Sequence, residues 1–183
     1  RVLRFDNAAT LPNGSNANAV LGQPDFTTST GTTTRNGMWN PRGLTMDSSG
    51  RLYVAEWWNH RVTWFDNPSA KANGADADGV LGQENFTTRN QGFDTYGLDG
   101  PEGLTVDGRG RLWVAEEGGS RVKWYENLPQ LVNRSPSDGV LGQPASNTNA
   151  TATTRDGMHF AMDVAALGND RLWIVDRRNN RVL

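Results

Sequence analysis

The sequence predicts an all-β fold made of short antiparallel strands that repeat every 60 residues. Val20-Leu21-Gly22-Gln23 returns without a gap as Val80-Leu81-Gly82-Gln83 and again as Val140-Leu141-Gly142-Gln143. The chain has seven tryptophans and 21 glycines, and no stretch keeps a 3.6-residue apolar period. A fixed period of this length is typical of repeat architectures, and the composition favours strands and tight turns over helices.

Each period contains four predicted strands joined as an antiparallel meander. Pro12-Asn13-Gly14-Ser15 and Ser48-Ser49-Gly50 carry the residues that tight turns prefer. The segment 24–40 is rich in Thr, Gly and Asn and is predicted to be a long loop. The strands are predicted at 1–6, 19–23, 43–47 and 51–56, with 61–66 as the next equivalent of the first.

Several predicted strands are apolar on both faces. Leu112 and Val114 alternate with Trp113 and Ala115, so neither side of that strand is suited to water. Two apolar faces indicate a small sheet packed between two neighbouring sheets, as in the blades of a propeller. A β-solenoid also packs on both faces, but its coils are usually shorter and more uniform than this repeat.

The motifs resemble those of one repeat family. The segment from Pro41-Arg42-Gly43-Leu44 through Asp47, Arg51 and His60-Arg61-Val62 resembles the NHL repeat, and 101–122 matches it again. Val-Leu-Gly-Gln resembles the outer-strand motif of bacterial, usually exported, NHL-repeat proteins. The resemblance implies a β-propeller, most often six-bladed, with Val-Leu-Gly-Gln in the outermost strand of each blade. It also implies an extracellular or periplasmic location.

We therefore expect residues 1–183 to form one segment of an NHL-type β-propeller, three four-stranded blades' worth and half of a six-bladed ring. Its three 60-residue repeats are 1–60, 61–120 and 121–180, in permuted register, because Arg1-Val2 and Arg181-Val182 fall in the same strand of the repeat. We expect the chain to be a piece of a longer one, with any targeting segment missing. Three blades cannot close alone, so further repeats or a second copy should cover the end faces.

The third repeat departs from the pattern of the first two. Ala161-Met162-Asp163-Val164 replaces Pro-x-Gly-Leu, and Leu167 stands where Asp47 and Asp107 stand in the other repeats. The apolar strand is kept while the turn chemistry is lost. We expect the entry loop of this blade to be irregular.

Composition excludes several classes of function. A formal net charge of −2 and a pI near 5.7 provide no general attraction to nucleic acids or anionic membranes, and no apolar run is long enough for membrane insertion. The chain has no cysteine and therefore no disulfide or thiolate chemistry. Serine-hydrolase, dinucleotide-binding and P-loop motifs are missing in usable context.

The repeated acidic residues are interpreted as structural. Glu56, Glu116 and Asp176 each precede an arginine by five positions, and a catalytic carboxylate would be expected once, not in every blade. His60 is expected to serve its turn, while His159 lies in a degenerate loop. No spacing of His, Asp and Glu supplies three convergent ligands, so we predict no catalytic residue, metal or cofactor.

The predicted hairpin tips 57–60, 117–120 and 177–180 differ between repeats although the framework does not. In a propeller these tips share a face with the loops 24–40, 84–100 and 144–160. Binding residues concentrate on loops held by a rigid scaffold, and Trp and Arg dominate binding hot spots. The candidate ligand-binding residues are Trp57, Trp58, Glu117, Arg177 and Arg178. The alternative is that Trp57 or Trp58 packs in a blade junction, as Trp113 and Trp173 are expected to do.

Two functions are carried forward from the sequence. The first is a non-catalytic binding or scaffold module that presents its variable loops to a protein or glycan. The alternative is a metal-dependent enzyme of the six-bladed lactonase, esterase or lyase kind, which NHL propellers resemble in fold. Its candidate residues near the axis are Asp47, Asp107 and Asp163, of which only Asp163 breaks the repeat. RNA binding ranks last, because Arg177-Arg178 alone does not make a basic face.

Overall fold

The fold consists of short antiparallel sheets. The structure, a computed structural model, describes residues 1–168 and 171–183. Within these residues the named strands pair antiparallel, the helical segments are three-residue 3₁₀ turns, and none has the length or apolar character to span a bilayer. The strands are β1 (Val2–Arg4), β2 (Ala19–Leu21), β3 (Pro41–Met46), β4 (Leu52–Glu56), β5 (Arg61–Phe65), β6 (Gly79–Leu81), β7 (Pro101–Val106), β8 (Leu112–Glu116), β9 (Arg121–Tyr125), β10 (Gly139–Leu141), β11 (Ala161–Leu167), β12 (Arg171–Asp176) and β13 (Arg181–Val182).

Two four-stranded sheets lie in the middle of the described chain, in the order β3-β4-β5-β6 and β7-β8-β9-β10. A two-stranded sheet, β1-β2, precedes them, and a three-stranded sheet, β11-β12-β13, follows them. Val2 pairs with Leu21 as Val62 pairs with Leu81, so β1-β2 corresponds to the outer half of a blade. The predicted all-β, NHL-type propeller architecture is confirmed, whereas the repeat boundaries and the six-bladed ring stay predictions.

The sheets pack face to face, which explains strands that are apolar on both sides. Every residue of β4 and of β8 is buried. Three apolar clusters lie between successive sheets. The first contains Leu21, Met38 and Phe65, the second Tyr53, Leu81, Leu104 and Tyr125, and the third Trp113, Val122, Val164 and Ile174. Burial on both faces therefore comes from blade-to-blade packing and not from a single central core.

The two end faces of this stack are exposed. Leu44 is 55% exposed although its equivalent Leu104 is 7% exposed, and Trp173 is 53% exposed although Trp113 is 7% exposed. The expectation that Trp173 packs in a blade junction is wrong for the single chain. The physical reason is that no described sheet follows β11-β12-β13 and covers it.

The Val-Leu-Gly-Gln element is the outer strand and the start of the following loop. Gly82 has a φ of +85°, and a Cβ there would lie 2.7 Å from the carbonyl oxygen of His60. The side chain of Gln83 donates hydrogen bonds to the carbonyls of Asn90 at 2.7 Å and His60 at 2.9 Å. The glycine permits the turn, and the glutamine ties the long loop to the hairpin.

Asp47 and Asp107 stabilise the turns between the two inner strands of their blades. Asp47 Oδ1 accepts hydrogen bonds from the N–H groups of Ser49 and Arg51, and Asp107 makes the same contacts two and four residues ahead. Leu167, 62% exposed, cannot replace them. The turn chemistry lost in the third repeat concerns a segment that includes residues 169 and 170, which lie outside the described residues.

Candidate functional site

The hairpins between the second and third strands of each blade end beside the long loops. A 3₁₀ turn covers Trp57–Asn59, and His60 then takes the left-handed conformation with a φ of +47°. The backbone N–H of Trp57 donates a hydrogen bond to the carbonyl of Asn40 at 3.2 Å. The backbone N–H groups of Glu117 and Arg177 make the equivalent bonds to the carbonyls of Gly100 and Phe160. Tips and loops therefore share one end of the blades.

A carboxylate–arginine pair supports each tip from below. Glu56 pairs with Arg61 at 2.9 Å and Glu116 with Arg121 at 3.0 Å, and all four side chains are fully buried. The third pair, Asp176 and Arg181, is at 2.7 Å. The predicted structural role of these acids is confirmed.

The same arginines also hold the long loops. Arg61 Nη2 donates to the carbonyls of Thr34 at 3.0 Å and Gly37 at 2.9 Å. Arg181 makes equivalent bonds to Thr154 at 2.8 Å and Gly157 at 2.7 Å. Each guanidinium thus connects a tip to the loop beside it, and the surface that both form is held in place by charge-assisted bonds.

Residues at the end of each tip connect it to the next blade. His60 Nδ1 accepts a hydrogen bond from the Gly100 N–H at 3.0 Å, and Ser120 Oγ accepts one from the Phe160 N–H at 3.2 Å. His60 Nδ1 also lies 3.2 Å from the carboxylate of Asp99. The expected turn role of His60 is confirmed, and the side chain also links two blades.

Three candidate residues from three blades form one network. Glu117 Oε2 accepts a hydrogen bond from Trp57 Nε1 at 2.7 Å, and Glu117 Oε1 pairs with Arg177 Nη1 at 2.9 Å. The Glu117 side chain is 16% exposed and that of Arg177 is 50% exposed. The repeat brings these residues together because they occupy the same tip position in successive blades.

Trp58 and Arg178 lie beside this network but make different contacts. Trp58 is 46% exposed and packs edge-on against Trp57 with ring centroids 4.5 Å apart. Arg178 lies over the ring of Phe160 at 5.2 Å. Trp57 is partly buried by its contacts, whereas Trp58 is available to a ligand.

Sequence reasoning missed Trp39 and Arg89, which extend the aromatic surface. The ring of Trp39 lies 6.1 Å from that of Trp58, and the guanidinium of Arg89 lies over Trp39 at 4.9 Å. Both belong to long loops whose sequences are mostly polar. For Trp39, the available signal was an aromatic residue inside a polar loop. The tip face is defined here as Trp39, Trp57, Trp58, Glu117 and Arg177.

An open cleft of about 320 Å³ lies where the innermost strands begin. Arg42 and Glu102 face each other across it at 3.9 Å, and Asp163 contributes a second carboxylate. Burial raises the pKa of Glu102, Arg42 opposes this shift, and the charges of Glu117 and Asp163 reinforce it. Glu117 belongs to the tip face, so a charge of the tip face acts on a carboxyl group of the cleft. Arg42 and Glu102 were also missed, although positions 42, 102 and 162 differ between repeats.

Of the proposed axial carboxylates, Asp163 alone lines this cleft. Asp47 and Asp107 lie at the opposite end of their blades in turns. Burial opposes ionisation of Asp47, but hydrogen bonds from Ser49 and Arg51 lower its pKa. In residues 1–168 and 171–183, no three His, Cys, Asp or Glu side chains come close enough together to hold a metal ion.

One family model and two solved structures match parts of this chain. The NHL repeat model matches residues 38–65. Selenomethionine-substituted virginiamycin B lyase from Staphylococcus aureus is 13% identical with a TM-score of 0.47, over 82% of this chain and 39% of that one. A streptogramin B lyase structure is 18% identical with a TM-score of 0.35, over 78% of this chain and 50% of that one.

The chain thus spans half the length of these solved structures or less. A comparison with curated proteins finds no match. The stretch matched by the family model runs through β3, β4 and β5, which are the three inner strands of a complete blade. Residues 38–65 are therefore an NHL repeat, as the motifs between Pro41 and Val62 indicated, whereas the bacterial type with Val-Leu-Gly-Gln repeats stays a prediction.

Proposed function

We propose that the protein is a non-catalytic binding module whose tip face receives a protein or a glycan. The observation that carries the proposal is the network in which Glu117 joins Trp57 and Arg177. Three blades each contribute one side chain of different chemistry to a single surface. The framework residues below this surface repeat, while the residues on it do not.

The rigidity of the tip face supports binding. The buried pairs of Glu56 with Arg61 and Glu116 with Arg121 hold both the hairpins and the loops. A surface ordered in advance loses little conformational entropy when a ligand docks. The proposed site therefore needs no closing segment or rearrangement.

The side chains of the tip face also suit recognition. Trp58 presents an exposed aromatic ring beside a carboxylate and a guanidinium, and Trp and Arg are enriched among residues that dominate binding energy. Flat apolar rings next to hydrogen-bonding groups can contact the faces and hydroxyls of sugars or the side chains of a protein. The repeated acids are occupied in structural pairs, which is consistent with a role other than catalysis.

The test compares the wild-type protein with Trp58→Ala. Binding is measured on an array of immobilised glycans and against extracellular and periplasmic proteins of the source organism, since we also propose that location. Val132→Ala is the control, because Val132 is 67% exposed in the connection after β9, at the end of the blade opposite the tips. A ligand that binds Trp58→Ala as well as wild type would contradict the proposal.

One observation favours a second candidate function, an enzyme that acts in the inner cleft. Glu102 is 6% exposed, has a raised pKa and faces Arg42, and a buried carboxyl of this kind in a cleft is a candidate proton donor. The described residues supply no three-ligand metal cluster, so no metal-dependent step is derived. Turnover of lactone or ester substrates that is lost in Glu102→Gln would favour this function over binding alone.

A further inference from the structure

Two arginines beside the tip face lie on aromatic rings and leave their N–H donors without hydrogen bonds. The guanidinium of Arg89 lies over the ring of Trp39 at 4.9 Å, and that of Arg178 lies over the ring of Phe160 at 5.2 Å. Both arginines are exposed, and residues 1–168 and 171–183 supply neither side chain with a hydrogen bond or an ion pair. A guanidinium held on a ring presents a planar fork of donors that suits a carboxylate or a phosphate.

The blade framework does not require these two arginines. A framework arginine such as Arg61 is fully buried, pairs with a carboxylate and donates to the carbonyls of its loop. The positions equivalent to 89 and 178 carry other residue types, which are Ser29 and Asn149 for the first and Trp58 and Gly118 for the second. Arg89 and Arg178 therefore belong to the part of the surface that differs between blades.

The conformation of Phe160 indicates that its ring has a specific role. Phe160 has a φ of +63°, in the left-handed region, whereas the equivalent positions hold Asn40 and Gly100. Asn and Gly tolerate this conformation, but a bulky side chain adopts it rarely. The carbonyls of all three accept the same hydrogen bond from a tip, so the backbone role needs no ring. Strained residues of this kind cluster at ligand sites, and this ring supports Arg178.

The two stacked arginines, Arg89 and Arg178, lie at opposite ends of a row of contacts across the tip face. Arg89 lies on Trp39, whose ring is 6.1 Å from that of Trp58. The row continues through the network of the tip face to Arg177, and Arg178 is the next residue in the chain. Trp58, 46% exposed, presents an apolar ring between the two positive ends.

We propose that the ligand of the tip face is an acidic glycan, whose carboxylates pair with Arg89 and Arg178 while a sugar ring lies on Trp58. This inference rests on the proposed function, because it names the ligand class of the same surface. In a uronate sugar the carboxylate is attached to the ring itself, so its position relative to the apolar C–H face is fixed. One rigid unit therefore contacts an indole and a guanidinium together and loses little conformational entropy on binding.

The carboxylates near the stacked arginines favour a sparsely charged polymer. Glu117 belongs to the tip face, and Glu102 and Asp163 line the adjoining cleft. Duplex DNA carries one phosphate charge about every 1.7 Å along its axis, so nucleic acid would bring phosphates against these carboxylates. A glycan with one carboxylate on each sugar can place its anions at the arginines and its hydroxyls at the acids. Carboxylates of a glycan therefore fit this surface better than the phosphates of nucleic acid.

An acidic peptide also fits this surface less well than a glycan. The carboxylates of a peptide are carried by flexible side chains, and ordering these side chains costs rotamer entropy. Extended peptides often gain affinity by adding a strand to a sheet edge. The tips instead end in the 3₁₀ turns Trp57–Asn59 and Arg177–Asn179, which offer no strand edge. The exposed ring of Trp58 suits the apolar face of a sugar.

The first test compares acidic glycans with their methyl esters, which keep the sugar and remove the charge. Oligomers of galacturonate, of mannuronate and of hyaluronan are titrated calorimetrically into the wild-type protein, beside their esters and oligoglutamate. At least one acid should bind, and its ester should bind about tenfold more weakly or worse, because charged hydrogen bonds are lost. No binding of any acid, equal binding of acid and ester, or tighter binding of oligoglutamate would overturn the inference.

Trp58→Ala separates this inference from the proposed function. Equal binding of acid and ester that is lost in Trp58→Ala would overturn the acidic ligand class and leave a binding surface at the tip face. A glycan that binds Trp58→Ala as well as wild type would contradict the proposed function itself. Binding of the acid alone, weakened by Trp58→Ala, is the result expected when both hold.

The second test removes the charges one at a time. Arg89→Gln and Arg178→Gln should each weaken binding of the acid about tenfold and leave binding of the ester unchanged. Lysine at either position keeps the charge but loses the planar fork, so it should recover only part of the loss. The control is Arg171→Gln, since Arg171 is exposed at the start of β12, at the end of the blade opposite the tips. Equal affinities of the three glutamine variants would overturn the assignment, because net charge alone would then attract the glycan.

Phe160→Asn tests the support of Arg178 without changing any charge. Asn is the residue at the equivalent position 40 and tolerates the left-handed conformation, so the urea midpoint should stay the same or rise. Affinity for the acid should nevertheless fall, because Arg178 loses the ring that orients it. An unchanged affinity would overturn the part of Phe160 in the site.

Discussion

Glu117 joins two side chains that lie 60 positions before and after it, accepting a hydrogen bond from Trp57 at 2.7 Å and pairing with Arg177 at 2.9 Å. A period of 60 residues places equivalent positions side by side in neighbouring blades. Side chains that differ between the repeats at this position therefore lie together on one surface. This relationship links the repeat to the proposed binding site.

Removing the central carboxylate should affect binding more than stability. We expect Glu117→Ala to weaken ligand binding about tenfold or more, because Trp57 and Arg177 lose the group that orients them. The free energy of unfolding should fall by less than about 1 kcal/mol, since Arg177 is half exposed and such pairs contribute little. Calorimetric titration and urea unfolding measure the two effects.

The control for this substitution is Glu84→Ala. Glu84 forms an exposed ion pair with Arg134 at 2.8 Å, and neither residue belongs to the tip face. It should change neither ligand affinity nor stability appreciably. Equal affinities of the two variants would show that Glu117 has no special part in binding.

The buried acids should behave in the opposite way. Glu116→Ala leaves Arg121 and Lys123 buried without their carboxylate, so we expect a loss of about 3–5 kcal/mol in the free energy of unfolding. Asp176→Ala should cost less, because Arg181 is 28% exposed and water can solvate it. Urea unfolding followed by tryptophan fluorescence compares the two, and equal losses would argue against burial as the cause.

The glycine of the Val-Leu-Gly-Gln element should resist substitution. Gly82→Ala combines a φ of +85° with a Cβ 2.7 Å from a backbone oxygen. Gly110, with a φ of +78° and open space around its Cβ, is the matched control for backbone conformation alone. We expect Gly110→Ala to cost about 1 kcal/mol and Gly82→Ala clearly more. Thermal unfolding gives the comparison, and similar melting temperatures would contradict it.

Lys123 should make stability depend on alkaline pH. Burial lowers the pKa of Lys123 to about 8, while Glu116 opposes the shift. The unfolded chain holds the proton up to a pKa near 10.4, so between about pH 8 and pH 10 the unfolded state binds more protons than the folded state. Stability contributed by this group therefore rises with pH in that window, by at most about 1.4 kcal/mol per pH unit, and is lost as pH falls through 8.

Urea midpoints between pH 7 and pH 9.5 test this dependence. The wild-type protein should become more stable as the pH rises through 8. Lys123→Thr, which introduces the residue found at the equivalent position 63, should lack that rise. The same slope in both proteins would assign the effect to another group.

The architecture could be predicted from sequence because the repeat itself reports it. Strands that are apolar on both faces, such as β8, require neighbours on both sides, and the motif Pro-x-Gly-Leu occurs in the same register in two blades. The acid–arginine pairs were predictable for the same reason. A residue repeated in every blade has a role in every blade.

The missed residues of the site lie where local sequence carries little geometric information. Trp39 and Arg89 belong to long polar loops whose paths depend on bonds to distant arginines such as Arg61. Arg42 and Glu102 occupy the variable second position of the Pro-x-Gly-Leu motif, whose other positions indicate a framework strand. Tertiary contacts, not strand periodicity, bring these side chains together.

Ligand binding at the tip face can be followed through the indole N–H signals of the seven tryptophans. A ¹H–¹⁵N spectrum, with each signal assigned by single substitution, separates tip tryptophans from those in the blades. A bound ligand should shift the signals of Trp39, Trp57 and Trp58 and leave Trp64 and Trp113 unchanged. Shifts confined to the blade tryptophans, with the three tip signals unmoved, would contradict the account.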